Sequence, residues 1–333
     1  MIYFYRKPNT SWPAIIHTLE SSLSKVLVPF YPVAGRLRSV GGGRFELDCN
    51  GKGAVFVAAE LNAELRKSRK FECGGVSLSI AMSHVVADGK SAANFVAEWA
   101  RLARGEFLQI APVLDRKAFR AGEPPSAMPR FDHSKDFGNL PFLLKLPSAE
   151  EVSKMKTTMV RLGLDKGQVE KLKKMANNQS RAEGARPYTR YESVAAHIWK
   201  CSTRQGSTKS SSQLTEQEKF RGAIEKVTDD YVWSAIDFLK NESELTKFQY
   251  SYKSSKIGGG NLLGNPNIGL VNWVNLPFEG MDFGWGKEIY YGRDTMKSTV
   301  TLGCFAVAMI KKAPGCSSMS FRRPRGRFYK VLL

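Results

Sequence analysis

No run of eighteen consecutive apolar residues occurs in this chain, so no segment is expected to cross a membrane as a helix. The opening MIYFYRKPNT lacks the basic, apolar and small-residue regions of a signal peptide. A cytoplasmic protein is the resulting expectation. Cysteine is sparse: Cys49, Cys73, Cys201, Cys304 and Cys316 are odd in number, widely spaced and without a CxxC pair. That argues against a disulfide framework and against a closed zinc site, and for free thiols. Acidic residues stop at Asp294, beyond which Lys297, Lys311, Lys312, Arg322, Arg323, Arg325, Arg327 and Lys330 follow unopposed. This tail supplies much of the net charge of +19. No zinc-finger, RNP or helix-turn-helix signature accompanies it, so specific nucleic-acid recognition is not expected. There is also no GxSxG, no Walker loop and no GxGxxG opening a helix.

What remains is the composition of a globular chain, 42% hydrophobic and 24% charged over 333 residues, long enough for two domains. Residues 2–5 (IYFY) suit a strand. After Ser11, the apolar residues Ile15, Leu19, Leu23, Val26 and Leu27 recur at helical spacing until Pro32 turns the chain. Residues 44–49 and 54–59 suggest a hairpin through Asn50-Gly51. A helix is expected from about Ser91, with Phe95, Val96 and Trp99 on one side. Residues 105–147, rich in Pro, Gly and charge, suit a connection between domains. Beyond it, the pattern predicts strands at 157–162 and 268–276 and helices at 166–176 and 220–240. It also predicts a helix at 189–199 whose Thr189 and Glu192 form a capping box, and a polar loop over 202–219.

The most informative segment alternates strictly. Val76, Leu78, Ile80 and Met82 share one face, and His84 continues it, so the imidazole is expected to point inward at a strand end. Asp88 and Gly89 follow in a turn, giving HxxxD and then Gly. The spacing alone is unspecific, and a histidine satisfied inside a core explains it as well as a base does. The position, at a strand end beside a glycine turn, suits a general base meeting a substrate channel. Asp88 orients the imidazole or holds the turn; the second role is favoured. DFGWG (residues 282–286) echoes a kinase motif, but the HRD sequence and Gly-rich loop that complete that set are missing.

Taken together, HVVADG at residues 84–89 and DFGWG at 282–286 resemble the paired motifs of the plant BAHD acyltransferases. IYFYR, FYPVAGRL, EWARLARGE, YTRYESVAAHIWKC and GNPNIGLVNWVNLP extend the likeness over most of residues 2–291. Within the family the wording is most similar to the spermidine hydroxycinnamoyl transferases. The resemblance implies an α/β fold of two chloramphenicol-acetyltransferase-like domains with mixed sheets, at 1–150 and 151–333. It implies a substrate channel with His84 as catalytic base, and support of the site by Asp88, Gly89, Asp282 and Gly284. Trp285 is a candidate oxyanion or channel residue. The co-substrate implied is acyl-CoA, with no permanently bound cofactor and no metal. The expected chemistry is transfer of a hydroxycinnamoyl group to a polyamine nitrogen by a monomer.

Relatives that esterify shikimate or quinate carry an arginine in the strand before DFGWG, clamping the acceptor's carboxylate. Here Asn275 takes that position, which favours a cationic amine, unless Asn275 merely fills a strand site. Against the family pattern the chain is short. It begins at IYFYR, AAELNAELRKSRKFECGG stands where relatives have a longer insert, and the pattern is lost after Gly292. The resemblance therefore leaves two alternatives open: an inactive truncated relative, and an O-acyltransferase using an alcohol.

Overall fold

The computed structural model describes residues 1–59, 75–116, 122, 126, 128–133, 136–137, 164–178, 185–205, 215–245, 272–273, 276–292 and 328–332. The chain divides into two compact units: Met1–Leu114 with Leu276–Met296 and Lys312–Leu333, and Asp115–Asn275 with Lys297–Lys311. The expected boundary at residue 150 lies outside the described residues. The DFGWG segment, expected with the C-terminal half, belongs to Leu276–Met296 and so to the first unit.

In the first unit, β1 (Ile2–Tyr5) pairs antiparallel with β5 (Val76–Ser79) on one edge and with β6 (Tyr290–Gly292) on the other. Helix α1 (Trp12–Leu27) has Pro13 in its first turn, where a missing N–H costs nothing, and buries Ile15, Leu19, Leu23, Val26 and Leu27 as the spacing predicts. A 3₁₀ turn (Tyr31–Ala34) ends it. Helix α2 (Gly89–Ala103) packs on α1 and buries Phe95, Val96 and Trp99. The Trp99 indole N–H donates to Ser22 Oγ at 3.0 Å, so the aromatic bulk is buried without an orphaned donor. Phe30, Phe95, Trp99 and Phe283 continue as an aromatic row through this core, edge-on at its two ends and tilted between Phe95 and Trp99, with Trp99 and Phe283 centroids 5.1 Å apart.

The hairpin forms elsewhere than expected. β3 (Arg44–Asp48) pairs with β2 (Arg36–Gly41), not with β4 (Val55–Ala59). Gly41, Gly42 and Gly43 all take positive φ, which a tight reversal needs and side-chain-bearing residues resist. Asn50-Gly51 instead lies in an open loop, where Asn50 binds Asp48 and Lys52. β4 pairs with the distant β7 (Phe328–Leu332).

The second unit is helical in its described part: α3 (Lys166–Asn177), α4 (Arg190–Gln205), α5 (Glu216–Glu225) and α6 (Asp229–Asn241). The Thr189 capping box forms as read, with Thr189 N donating to Glu192 Oε2 at 2.7 Å and Glu192 N to Thr189 Oγ1 at 3.2 Å. Two expectations fail. The polar loop at 202–219 is helical at both ends, because Thr215 and Glu218 form a second capping box that starts α5. The single helix at 220–240 is two helices, broken after Lys226 and restarted by Thr228, whose hydroxyl accepts from Tyr231 N. The strand expected at 157–162 lies outside the described residues, as does most of 268–276. Asn272 and Trp273 carry no strand.

Candidate active site

β5 delivers the chain toward His84 but stops short of it. Its pairing with β1 ends where Met1 and Ile80 exchange two backbone bonds, each 2.8 Å long. Past that point no partner strand holds the backbone extended among the described residues, and the alternation that predicted an inward imidazole lapses. The chain folds instead into a turn. Ser83 O accepts from Val86 N at 3.0 Å and Ala87 N at 3.3 Å, and Ser83 Oγ accepts from Val85 N. His84 opens this turn and is exposed, not buried. The inward placement read from periodicity is thereby corrected. The imidazole has no hydrogen-bond partner among the described residues.

Asp88 is the N-cap of α2. Its Oδ1 accepts from Ser91 N at 2.7 Å, satisfying one of the helix's open donors. The bond to Ser91 holds its carboxyl below the usual carboxylate range, with smaller help from Lys90 N and His84. The helix therefore begins at Gly89, two residues before the expected Ser91. Gly89 lies under Leu276: a Cβ added there would come within 2.9 Å of a Leu276 methyl carbon. Leu276 thus reaches the start of α2. Asn275 itself lies outside the described residues.

The other expected site residues gather at the far end of α2. Asp282 Oδ1 accepts from Gly284 N and Gly286 N at 2.8 and 2.9 Å, closing a tight loop in which both glycines have positive φ. Arg104, the residue after α2, donates to the Asp282 carbonyl and pairs with Glu106. Glu288 accepts from Gly280 N and Met281 N, and the Tyr5 hydroxyl donates to Met281 O at 2.8 Å. Phe283 is fully buried, and Trp285 stacks on it while meeting Tyr5 edge-on. The Trp285 indole N–H is buried and finds no acceptor among the described residues.

Helix α2, fifteen residues long, spans roughly 22 Å at 1.5 Å per residue, so it holds the two motifs at opposite ends. Arg104, Leu276 and Glu288 were not singled out from sequence. Arg104 stands inside the EWARLARGE stretch, but its carbonyl partner is 178 residues away and leaves no local signal.

The sequence profile of the Transferase family matches residues 1–70, 66–224 and 213–312. The chain belongs to the BAHD acyltransferase family. It is 34% identical to a hydroxycinnamoyl-CoA:piscidic acid hydroxycinnamoyltransferase of Actaea racemosa, over 87% of this chain and 82% of that one. It is 29% identical to a hydroxycinnamoyl-CoA:5-hydroxyanthranilate N-hydroxycinnamoyltransferase of Avena sativa, covering 87% and 82%. A shikimate O-hydroxycinnamoyltransferase of Nicotiana tabacum is 28% identical, covering 87% and 81%. Among solved structures, vinorine synthase matches with a TM-score of 0.55 at 20% identity, covering 90% of this chain and 81% of that one. The α/β architecture is thus that of the family. The enzyme is an acyltransferase, and the family takes its acyl group from CoA thioesters without a permanently bound cofactor. No helix among the described residues is long and apolar enough to cross a membrane.

Proposed function

We propose that this chain moves a hydroxycinnamoyl group from its CoA thioester to a nitrogen of a spermidine-like polyamine, with His84 as general base. The observation that carries the reading is the commitment of Asp88. Its carboxylate is spent on the cap of α2, which leaves the neighbouring His84, exposed and unbonded, as the group free to take a proton. An imidazole nitrogen takes a proton from the acceptor's amine as the amine nitrogen attacks the thioester carbonyl. The tetrahedral intermediate then expels CoA, whose sulfur recovers the proton from the imidazolium. Asp88 and Gly89 hold the turn, while Asp282 and Gly284 hold the loop at the other end of α2. Trp285, packed against Tyr5 and Phe283 there, serves packing in this reading rather than the oxyanion.

Asn275, standing where an arginine would clamp a carboxylate, supports the cationic acceptor. A second reading has an observation of its own. The relatives above are named for piscidic acid, hydroxyanthranilate and shikimate, all carboxylate-bearing acceptors reached by N- or O-acylation. The deciding experiment follows thiol release by the full chain from a hydroxycinnamoyl-CoA with spermidine, shikimate or piscidic acid, beside His84→Ala. Spermidine-dependent release, slowed about 10²–10⁴-fold in the variant with unchanged thermal unfolding, is the expected result. Faster release with a carboxylate acceptor overturns the polyamine. Release undiminished in His84→Ala overturns the base, and no release with any acceptor from folded protein identifies an inactive relative.

A further inference from the structure

Helix α4 carries two metal-competent side chains one turn apart. His197 and Cys201 are both exposed, and Cys201 Sγ lies 3.7 Å from His197 Nε2. Residues four apart share one face of a helix, so the rigid backbone sets this spacing in advance. A tetrahedral zinc ion, with Zn–N of about 2.0–2.1 Å and Zn–S of about 2.3 Å, holds two such donors roughly 3.6 Å apart. We propose that His197 Nε2 and Cys201 Sγ form a two-ligand site for a zinc-class divalent cation, with water completing the coordination.

The donor types set the class of ion. Imidazole with a thiolate suits borderline-soft cations, whereas magnesium and calcium take oxygen ligands. No group of three or more His, Cys, Asp or Glu that could hold a metal occurs among the described residues, so this is an open chelate and not a closed structural site. Binding breaks the Cys201 S–H bond, forms a sulfur–metal bond and passes the proton to water. Nε2 donates its lone pair, with the ring proton on Nδ1. No electron is transferred, and the cation has no part in acyl transfer, so the inference stands apart from the acceptor and from His84.

Cys49 is the internal control. It too is a free, exposed thiol, but its sulfur faces the Leu47 carbonyl at 3.8 Å and no imidazole. The full chain, freed of metal, is alkylated with iodoacetamide with and without zinc chloride, and each cysteine is followed by peptide mass. Zinc at several times its dissociation constant slows Cys201 at least about fivefold, leaves Cys49 within about twofold, and is reversed by chelator. His197→Gln, at an exposed position, abolishes that protection. Equal protection of Cys49 and Cys201, or protection that survives in His197→Gln, overturns the proposal. As an independent readout, cobalt(II) gives a near-ultraviolet thiolate band that Cys201→Ser removes; an undiminished band in that variant overturns the proposal as well.

Discussion

The two ends of α2 differ in nearly every physical respect although one continuous helix joins them. At its start, His84 faces solvent, and the backbone is held by one serine and one aspartate cap. At its finish, Phe283 is sealed among Trp99, Tyr5 and Trp285, while Asp282, Arg104 and Glu288 fasten the loop from three sides. Rigidity is concentrated at one end and chemical availability at the other. The second unit repeats the contrast between helix starts. Glu192 at the start of α4 is buried and bonded to Arg186 and Arg221, whereas Asp88 at the start of α2 caps its helix in the open.

The sharpest way to break this comparison is at the sealed end. Phe283→Ala removes a fully buried ring and should cost about 3–5 kcal/mol of stability, seen as a lower denaturant midpoint at equal slope. A loss near zero would mean the aromatic row does not hold α2 in place. The next test reads the buried Glu192 cap by pH. Burial alone would raise the Glu192 carboxyl; hydrogen bonds from Arg221, Thr189 and Arg186 outweigh it and hold it down at about 2. A carboxyl held below its unfolded value stabilises the fold above that value and loses the contribution as pH falls toward its folded one. The wild type should therefore lose thermal stability between about pH 5 and pH 2 more steeply than Glu192→Gln. Parallel pH profiles in the two proteins would remove Glu192 from the account. The smallest effect is expected at the open cap: Asp88→Ala should cost about 1 kcal/mol, read by chemical denaturation. A cost several times larger would place Asp88 beyond the role of a cap.

Much of this was legible in local sequence, and the failures share a cause. The buried face of α1, the span of α3 and the Thr189–Glu192 box lie within a few residues of the atoms they bind, so their periodicity and spacing announced them. The partner of β4 lies more than 260 residues downstream, and nothing in VFVAA specifies it. Asn50-Gly51 is a strong turn signal, yet three successive glycines supply the hairpin's reversal. Thr215 is a readable cap inside the polar stretch, and Thr228 is one inside the span that periodicity reads as a single helix. For the site, HxxxD and DFGWG were found from sequence, but the exposure of His84 was not. Strand alternation predicts a side chain's direction only while the chain stays extended, and here it folds into a turn at Ser83, one residue before His84.

The union of Arg104 with the Asp282 carbonyl gives α2 the character of a graduated dial. With its last turn clamped, the helix fixes both the reach and the azimuth of the turn that bears His84. Each residue added or removed between Gly89 and Ala103 would swing that turn by about 100° and displace it by about 1.5 Å. A seven-residue insertion would nearly restore the angle, yet carry the imidazole about 10 Å further out. The interval between the two motifs has a fixed phase.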